Sequence, residues 1–390
     1  MSFLAERANV QAAATLTLSE KIKELKRAGE DAISLSVGEP DFVTPEHIRA
    51  YAKQALDEGY TFYPDSAGLI ELREAIAQKF QQENRISVDP RKNIVVTVGG
   101  KEAIYVTMMT TINPGDEVIL PNPCWVSYAP MIELAGGKPV YVPLKADEDF
   151  QISTERLENA LTNRTKMLLI NSPNNPLGTI CNRAELETIA DLAKRKKFLV
   201  LSDELYEKII FDGEKHISIG SLEGMEDYAI TVNGFSKAYA MTGWRLGYLA
   251  APSKIAERVI ALHGHMVTGA CSFMQRAAAL AMRDPRTEKS VAEMVTEYAK
   301  RRNFVVNELS KITKLVRPKA TFYAFPDISK YGRSEKFSLD LLDRAKVAVV
   351  PGDSFGPSGE GFVRISFATS MEILQKAFSR IRSSITSMQA

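Results

Sequence analysis

Apolar positions along this 390-residue chain change their rhythm at about residue 93 and again at about residue 283. Between those points short runs of β-branched and aliphatic residues recur, such as Ile94-Val-Val-Thr-Val and Phe198-Leu-Val-Leu-Ser-Asp. They predict strands over 94–98, 117–120, 139–143, 166–171, 198–203, 229–233 and 245–250. Turn residues punctuate them, among them Gly99-Gly100 and Asn113-Pro-Gly-Asp. The stretches between predict helices over 101–112, 125–135, 154–161 and 183–196, and a helix over 252–268 leads out of the repeat. Apolar strands alternating with helices predict an α/β fold with a mainly parallel sheet covered on both faces.

Upstream, the pattern predicts a helix over 19–28, with Ser19 as cap and Gly29 as stop, then a strand over 32–37. Helices follow over 45–58 and 69–84; the second places Leu72, Ile76 and Phe80 four residues apart. Beyond about Arg283 the strands thin out. Charged helices surround 297–310 and 372–387, with short strands near 321–325 and 347–350. This texture predicts a smaller α+β domain that the N-terminal segment completes. The expected division is 1–47 as an arm and part of the small domain, 48–285 as the large domain and 286–390 as the rest of the small one.

Composition narrows the class. Apolar residues make up 45% and charged residues 25%, as in an ordinary globular protein. A net charge of +1 provides no field to draw in nucleic acid or an anionic membrane. The tetrad Lys194-Arg-Lys-Lys falls at the end of a predicted helix, where cations complement the dipole. Cys124, Cys181 and Cys271 are odd in number and widely spaced, which predicts reduced thiols rather than a disulfide frame or zinc site. Glu6 and Arg7 stand where a signal peptide would be apolar, and no run approaches 18 apolar residues, so a cytoplasmic protein is expected.

Candidate chemistry gathers at strand exits. Lys237, in Asn233-Gly-Phe-Ser-Lys-Ala, is a candidate Schiff-base nucleophile. Ser236 and Arg245 lie close enough in sequence to bind an anion beside it. Asp203 ends a strand and offers a carboxylate. Gly99, Gly100 and Lys101 join a strand to a helix, where free N–H groups and the dipole favour a phosphate. Amine, carboxylate and anion site are the parts a pyridoxal phosphate enzyme needs. Taken singly, each has an ordinary reading: Asp203 as a cap, Lys237 as a surface lysine, Arg245 as an ion pair, Trp125 as core, Asn175 as turn chemistry. Their joint order at successive strand ends favours the functional one.

The whole chain resembles the fold-type I pyridoxal phosphate enzymes of the class I/II aminotransferases, nearest the prokaryotic aspartate aminotransferase subgroup. The motifs that carry the resemblance are Val37-Gly-Glu-Pro-Asp-Phe, Tyr63-Pro-Asp-Ser-Ala-Gly-Leu, Val98-Gly-Gly-Lys, Ser172-Pro-Asn-Asn-Pro-Leu-Gly, Ser202-Asp-Glu-Leu-Tyr, Gly234-Phe-Ser-Lys, Thr242-Gly-Trp-Arg-Leu-Gly and Phe362-Val-Arg-Ile-Ser-Phe. The resemblance implies that Lys237 holds the cofactor and shuttles the proton, and that Asp203 pairs with the ring nitrogen. It implies that Tyr206 and Asn175 donate to the ring's phenolic oxygen and that Trp125 stacks on the ring. The backbone at Gly100 and Lys101, with Ser236 and Arg245, would form the phosphate cup. Tyr63 would reach the phosphate of a neighbouring subunit, so a homodimer with shared sites is implied. Arg364 and Asn175, with Gly38 backbone nearby, would bind the substrate α-carboxylate.

The reaction so implied is transamination between an L-amino acid, aspartate first, and a 2-oxo acid such as 2-oxoglutarate. Lys101 matches a lysine associated with acidic substrates. Met266 and Val267, by contrast, stand where aspartate enzymes of this subgroup tend to carry small hydroxyl residues. A broad aromatic, kynurenine or alanine-type enzyme is therefore the alternative, and a carbon–sulfur lyase on the same fold a more distant one. A ligand-sensing regulator domain would need a DNA-binding module, for which no segment or basic face is seen. Val98-Gly-Gly-Lys is not the glycine spacing of a dinucleotide fold. His263 and His265, two apart on a predicted helix, diverge; they are expected at the pocket wall or surface, with no metal site.

Overall fold

A computed structural model describes residues 3–10 and 14–389. Its twelve strands in chain order are β1 (Ile33–Ser34), β2 (Ile94–Thr97), β3 (Glu117–Asn122), β4 (Lys138–Pro143), β5 (Thr165–Asn171), β6 (Leu199–Asp203), β7 (Ala229–Gly234), β8 (Gly247–Ala250), β9 (Tyr323–Ala324), β10 (Val347–Ala348), β11 (Val350–Pro351) and β12 (Val363–Ser366).

Seven strands form one sheet in the order β2-β8-β7-β6-β5-β3-β4. Only β8 runs against its neighbours. The alternation of side chains along each strand decides which core each residue joins. Val95, Leu169, Leu201, Val232 and Leu249 pack into one cluster, while Leu168, Ile170 and Val200 face the opposite one. Both faces of the central strands are covered, so β3, β5, β6 and β7 are buried along most of their length, as expected of inner parallel strands, while edge strand β4 is largely exposed. The covering helix Arg183–Lys196 begins with a capping box between Asn182 and Glu185 and ends in Lys194, Arg195 and Lys196, matching the dipole.

The remaining strands form two small sheets. Antiparallel β11-β12-β9 is one; the parallel pair β1-β10 is the other. Strand 347–350 is split because the chain changes partner at Val349, from β1 to β12. The expected strand 32–37 is reduced to β1 for a similar reason: Leu35 N–H bonds Ala348 O, while its own carbonyl accepts from Ser366 N–H. The N-terminal segment thus joins the C-terminal sheet elements. A shared core of Ile33, Leu35, Phe322, Leu341, Val347, Phe378 and Ile381 sits beneath them.

Other boundaries move as well. The first helix begins at Ala14, which puts Ser19 inside it rather than at its cap. The helix predicted from 125 begins at Tyr128, leaving Trp125 in the turn after β3. The helix over 69–84 ends its α portion at Lys79 and closes with a π turn, Phe80–Asn84. Among the described residues, no helix is long and apolar enough to cross a membrane.

Candidate active site

Strands β2, β3, β5, β6 and β7 all end at the same edge of the sheet, and β8 begins there. The turns at that edge converge on a cavity of about 230 Å³, closed on the far side by Tyr323 of β9 and Arg364 of β12. Such an edge is where an open α/β sheet binds ligands. Another cavity, of about 270 Å³, shares Tyr128 and Asn171 with it and is lined by Cys124 and Cys181, but holds none of the twelve candidate cofactor and substrate residues. Nine of those twelve line the first cavity; Ser236, Arg245 and Tyr63 do not.

Lys237 Nζ projects into the cavity and donates to Gly38 O at 2.6 Å. Burial, then the Arg364 guanidinium, lowers its pKa to about 8. Asp203, at the end of β6, is buried and accepts from Tyr128 Oη at 2.6 Å and from Leu205 N–H at 3.3 Å. Burial raises its pKa to about 6, against the pull of the Tyr128 hydrogen bond. Amine and carboxylate therefore stand in a cavity where each is easily discharged.

The β2 exit explains the anion site. Gly99 has φ +79, and a Cβ there would meet Arg245 Nη2 at 2.5 Å. The guanidinium thus lies directly on the turn that starts helix Gly100–Thr111. Arg245 itself has a left-handed φ of 53° and donates to Thr242 O at 3.0 Å. Ser236 is buried beside Lys237. Helix N–H groups and guanidinium thus meet at this turn, while buried Ser236 and exposed Arg245 do not line the cavity itself.

Arg364 is 2% exposed. It donates to Asn175 Oδ1 at 3.0 Å and Ser36 O at 2.6 Å, and its Nε has no partner among the described residues. Its guanidinium stacks 4.4 Å from the Tyr323 ring centre. A buried cation with a spare donor and no carboxylate beside it has capacity for an incoming anion. Tyr206 Oη and Tyr323 Oη lie 3.0 Å apart. At the mouth, Lys101 Nζ stands 4.9 Å from the Trp125 ring centre.

Sequence reading missed Tyr128 and Tyr323. Their polar ends matter through spatial neighbours, Asp203 and Tyr206, far away in the chain. The expectation for His263 is corrected: it is fully buried, with Nδ1 2.6 Å from Glu102 Oε1, and so neither lines the pocket nor reaches the surface. His265 is exposed. Tyr63, Met266 and Val267 stand exposed and outside this cavity at 87%, 40% and 42%.

The donor set fits pyridoxal phosphate. Lys237 offers a low-pKa amine for the aldehyde, Asp203 a buried carboxylate for the ring nitrogen, and the Gly99–Lys101 turn with Arg245 a cradle that a Cβ would fill. Fold and pocket together define an α/β enzyme of fold type I. The profile of the family "Aminotransferase class I and II" matches residues 30–381, and the chain belongs to that family: it is a pyridoxal phosphate-dependent aminotransferase. It is 48% identical over 363 residues to an aspartate aminotransferase of Pyrococcus abyssi and 47% identical over 363 residues to aromatic-amino-acid aminotransferase 2 of Thermococcus litoralis. In each case the match spans 93% of both chains. The aspartate aminotransferase of Thermus thermophilus with maleate superposes with a TM-score of 0.95 at 39% identity, covering 98% of this chain and 100% of that one.

Proposed function

We propose that the enzyme moves the amino group of an L-amino acid, aspartate first, to a 2-oxo acid of the 2-oxoglutarate type. It works in two half-reactions, the first product leaving before the second substrate binds, as a cytoplasmic homodimer. The observation that carries this reading is the meeting of Lys237, Asp203 and Arg364 in one cavity.

When bound, pyridoxal phosphate supplies an electrophilic aldehyde and a ring that accepts electrons from the substrate Cα. Arg364 binds the substrate α-carboxylate with its fork and fixes the direction of the Cα–H bond. Lys237 Nζ would take the Cα proton; its depressed pKa keeps a fraction of it unprotonated near neutrality. Asp203 would hold a proton on the ring nitrogen. Tyr206 and Asn175 would donate to the ring's phenolic oxygen, and Trp125 would cover its face. Gly100, Lys101, Ser236 and Arg245 would hold the phosphate, with Tyr63 from the second subunit. Gly38 brings its backbone to the substrate carboxylate.

Lys101 at the mouth supplies a cation for a side-chain carboxylate, which supports an acidic donor. An aromatic donor is the second reading. It is supported by the Thermococcus relative's name and by the Lys101–Trp125 stack, which leaves an aromatic wall. Borohydride treatment of the purified protein should fix the cofactor on Lys237, and Lys237→Ala should abolish the reaction. Label on any other lysine refutes the assignment. Turnover of aspartate, phenylalanine, kynurenine and alanine with 2-oxoglutarate then decides the donor.

A further inference from the structure

Behind the segment that carries Asp203 and Tyr206 lies a second group of ionisable side chains. Along β6 successive side chains alternate between faces, so Asp203 turns into the pocket and Ser202 and Glu204 turn away from it. Glu204 is completely buried. Its Oε1 accepts from Ser202 Oγ at 2.9 Å; its Oε2 accepts from Ser218 Oγ at 2.5 Å and lies 2.9 Å from His216 Nε2. One turn further, Glu207 pairs with Lys79 and accepts from Asn84 Nδ2 at 2.7 Å. Asn84 Nδ2 also reaches Ser218 Oγ at 2.7 Å, and Lys79 Nζ donates to Asn84 Oδ1 at 2.6 Å.

Three parts of the chain meet here: the π turn Phe80–Asn84 with Lys79, the exit of β6, and the 216–218 segment. Glu204, Glu207 and His216 stand close enough to hold one cation. The Lys79 ammonium already fills that role at Glu207, so the network carries its own counter-charge. Burying four charged groups is weak support for stability in itself. What the network does achieve is to grip the Asp203–Glu207 turn from behind. Burial, the largest single influence, would lower the His216 pKa, but the Glu204 and Glu207 carboxylates together outweigh it and the net shift is upward.

We propose that Glu204, held by His216, Ser218 and Asn84, is a positioning residue for transamination. It sets the place of Asp203 and Tyr206 and adds negative charge behind Asp203. The proposal rests on reading the cavity as the pyridoxal phosphate site. Lys79, Glu207 and His216 are the charged groups that face Glu204 from the neighbouring elements. Neutralising Glu204 also removes what holds His216 charged, but of these groups it is Glu204 whose charge acts on Asp203 itself, so the local field near Asp203 would become more positive. A cationic ring is then less favoured, and the pH midpoint of the bound cofactor's absorbance change should fall.

The test uses the purified holoenzyme and its variants. Glu204→Gln should lower kcat about tenfold to a hundredfold, the scale of a misplaced reacting group. KM for the amino acid should stay within about threefold, because Arg364 is untouched. The absorbance midpoint should fall by at least about half a pH unit, and Glu204→Asp, which keeps the charge, should restore most of that shift. Ser218→Ala removes one grip and keeps every charge, so kcat should fall while the midpoint stays. A Glu204→Gln enzyme with wild-type kcat and midpoint overturns the proposal, even with a lowered melting temperature. Where that variant does not fold, Ser218→Ala with unchanged kcat overturns it. A wild type that binds no pyridoxal phosphate overturns the underlying reading first, which distinguishes the two failures.

Discussion

Burial drives the two ionisable groups of the pocket toward neutrality, Lys237 down to about 8 and Asp203 up to about 6. The lysine benefits, since a proton acceptor must be unprotonated. For Asp203 the same burial works against ionisation, and Tyr128 opposes it by donating to the carboxylate. Removing that donor disfavours the ionised form further. In the cofactor-free protein, affinity for pyridoxal phosphate should weaken as pH falls through about 6, because Asp203 takes up a proton. Tyr128→Phe should move this midpoint to higher pH and weaken binding about tenfold at neutral pH, the worth of a hydrogen bond to a charged group. Equilibrium titration of wild type and variant at several pH values checks both; coincident curves would remove Tyr128 from the site. Lys237, Asp203 and Arg364 were legible in the sequence because each sits in a short motif. Tyr128 was not, since its role depends on Asp203 lying across the sheet from it.

Strand exits were the most legible elements and buried helices the least. Helix Ser272–Met282 escaped because it is buried on several sides, with Ala277, Ala278, Ala279 and Ala281 leaving no polar stripe to show a period. Helix Ser334–Ala345 does have a stripe through Phe337, Leu341 and Leu342, but no side chain caps its start. The turn between β2 and helix Gly100–Thr111 was recognised from two glycines, yet a third glycine matters as much. A Cβ on Gly247 of β8 would stand 2.4 Å from Gly100 N and 2.5 Å from Gly99 C. Both are backbone atoms, which cannot rotate aside as a side chain can. Gly247→Ala should therefore displace the turn, and with it the cradle for the phosphate. Cofactor dissociation should quicken at least about tenfold, more than the loss in melting temperature would suggest, because a displaced turn loses charge-assisted bonds. Retention of wild-type cofactor affinity in a folded Gly247→Ala protein would show that the turn does not need this close approach.

At the scale of the whole molecule, the single chain leaves unexplained exposure. Phe62 and Tyr63 are 82% and 87% exposed, and Met266 and Val267 are also exposed. The two segments adjoin: a Cβ on Gly264 would meet Ser66 Oγ at 3.1 Å, and one on Gly269 would meet Pro64 Cγ at 3.0 Å. Large apolar side chains exposed in adjoining segments support the proposed two-fold assembly with exchanged residues. Symmetry makes this testable without a structure of the assembly. Tyr63→Phe alone should weaken cofactor binding by about 10- to 100-fold, since it deletes a hydrogen bond to a charged phosphate. Lys237→Ala alone should be inactive. In a mixed dimer of the two chains, exchanged tyrosines place Lys237 of the first chain and Tyr63 of the second in one site. That site is intact, and its twin carries both defects. Activity at limiting cofactor should then be about half that of the wild-type dimer. Were each site built from one chain, no intact site would exist, and the mixture would show only the residual activity of Tyr63→Phe. Separately tagged chains, purified through both tags, ensure that only mixed dimers are assayed. Activity no higher than that residual level would place Tyr63 outside the partner's site and leave its exposure to another cause.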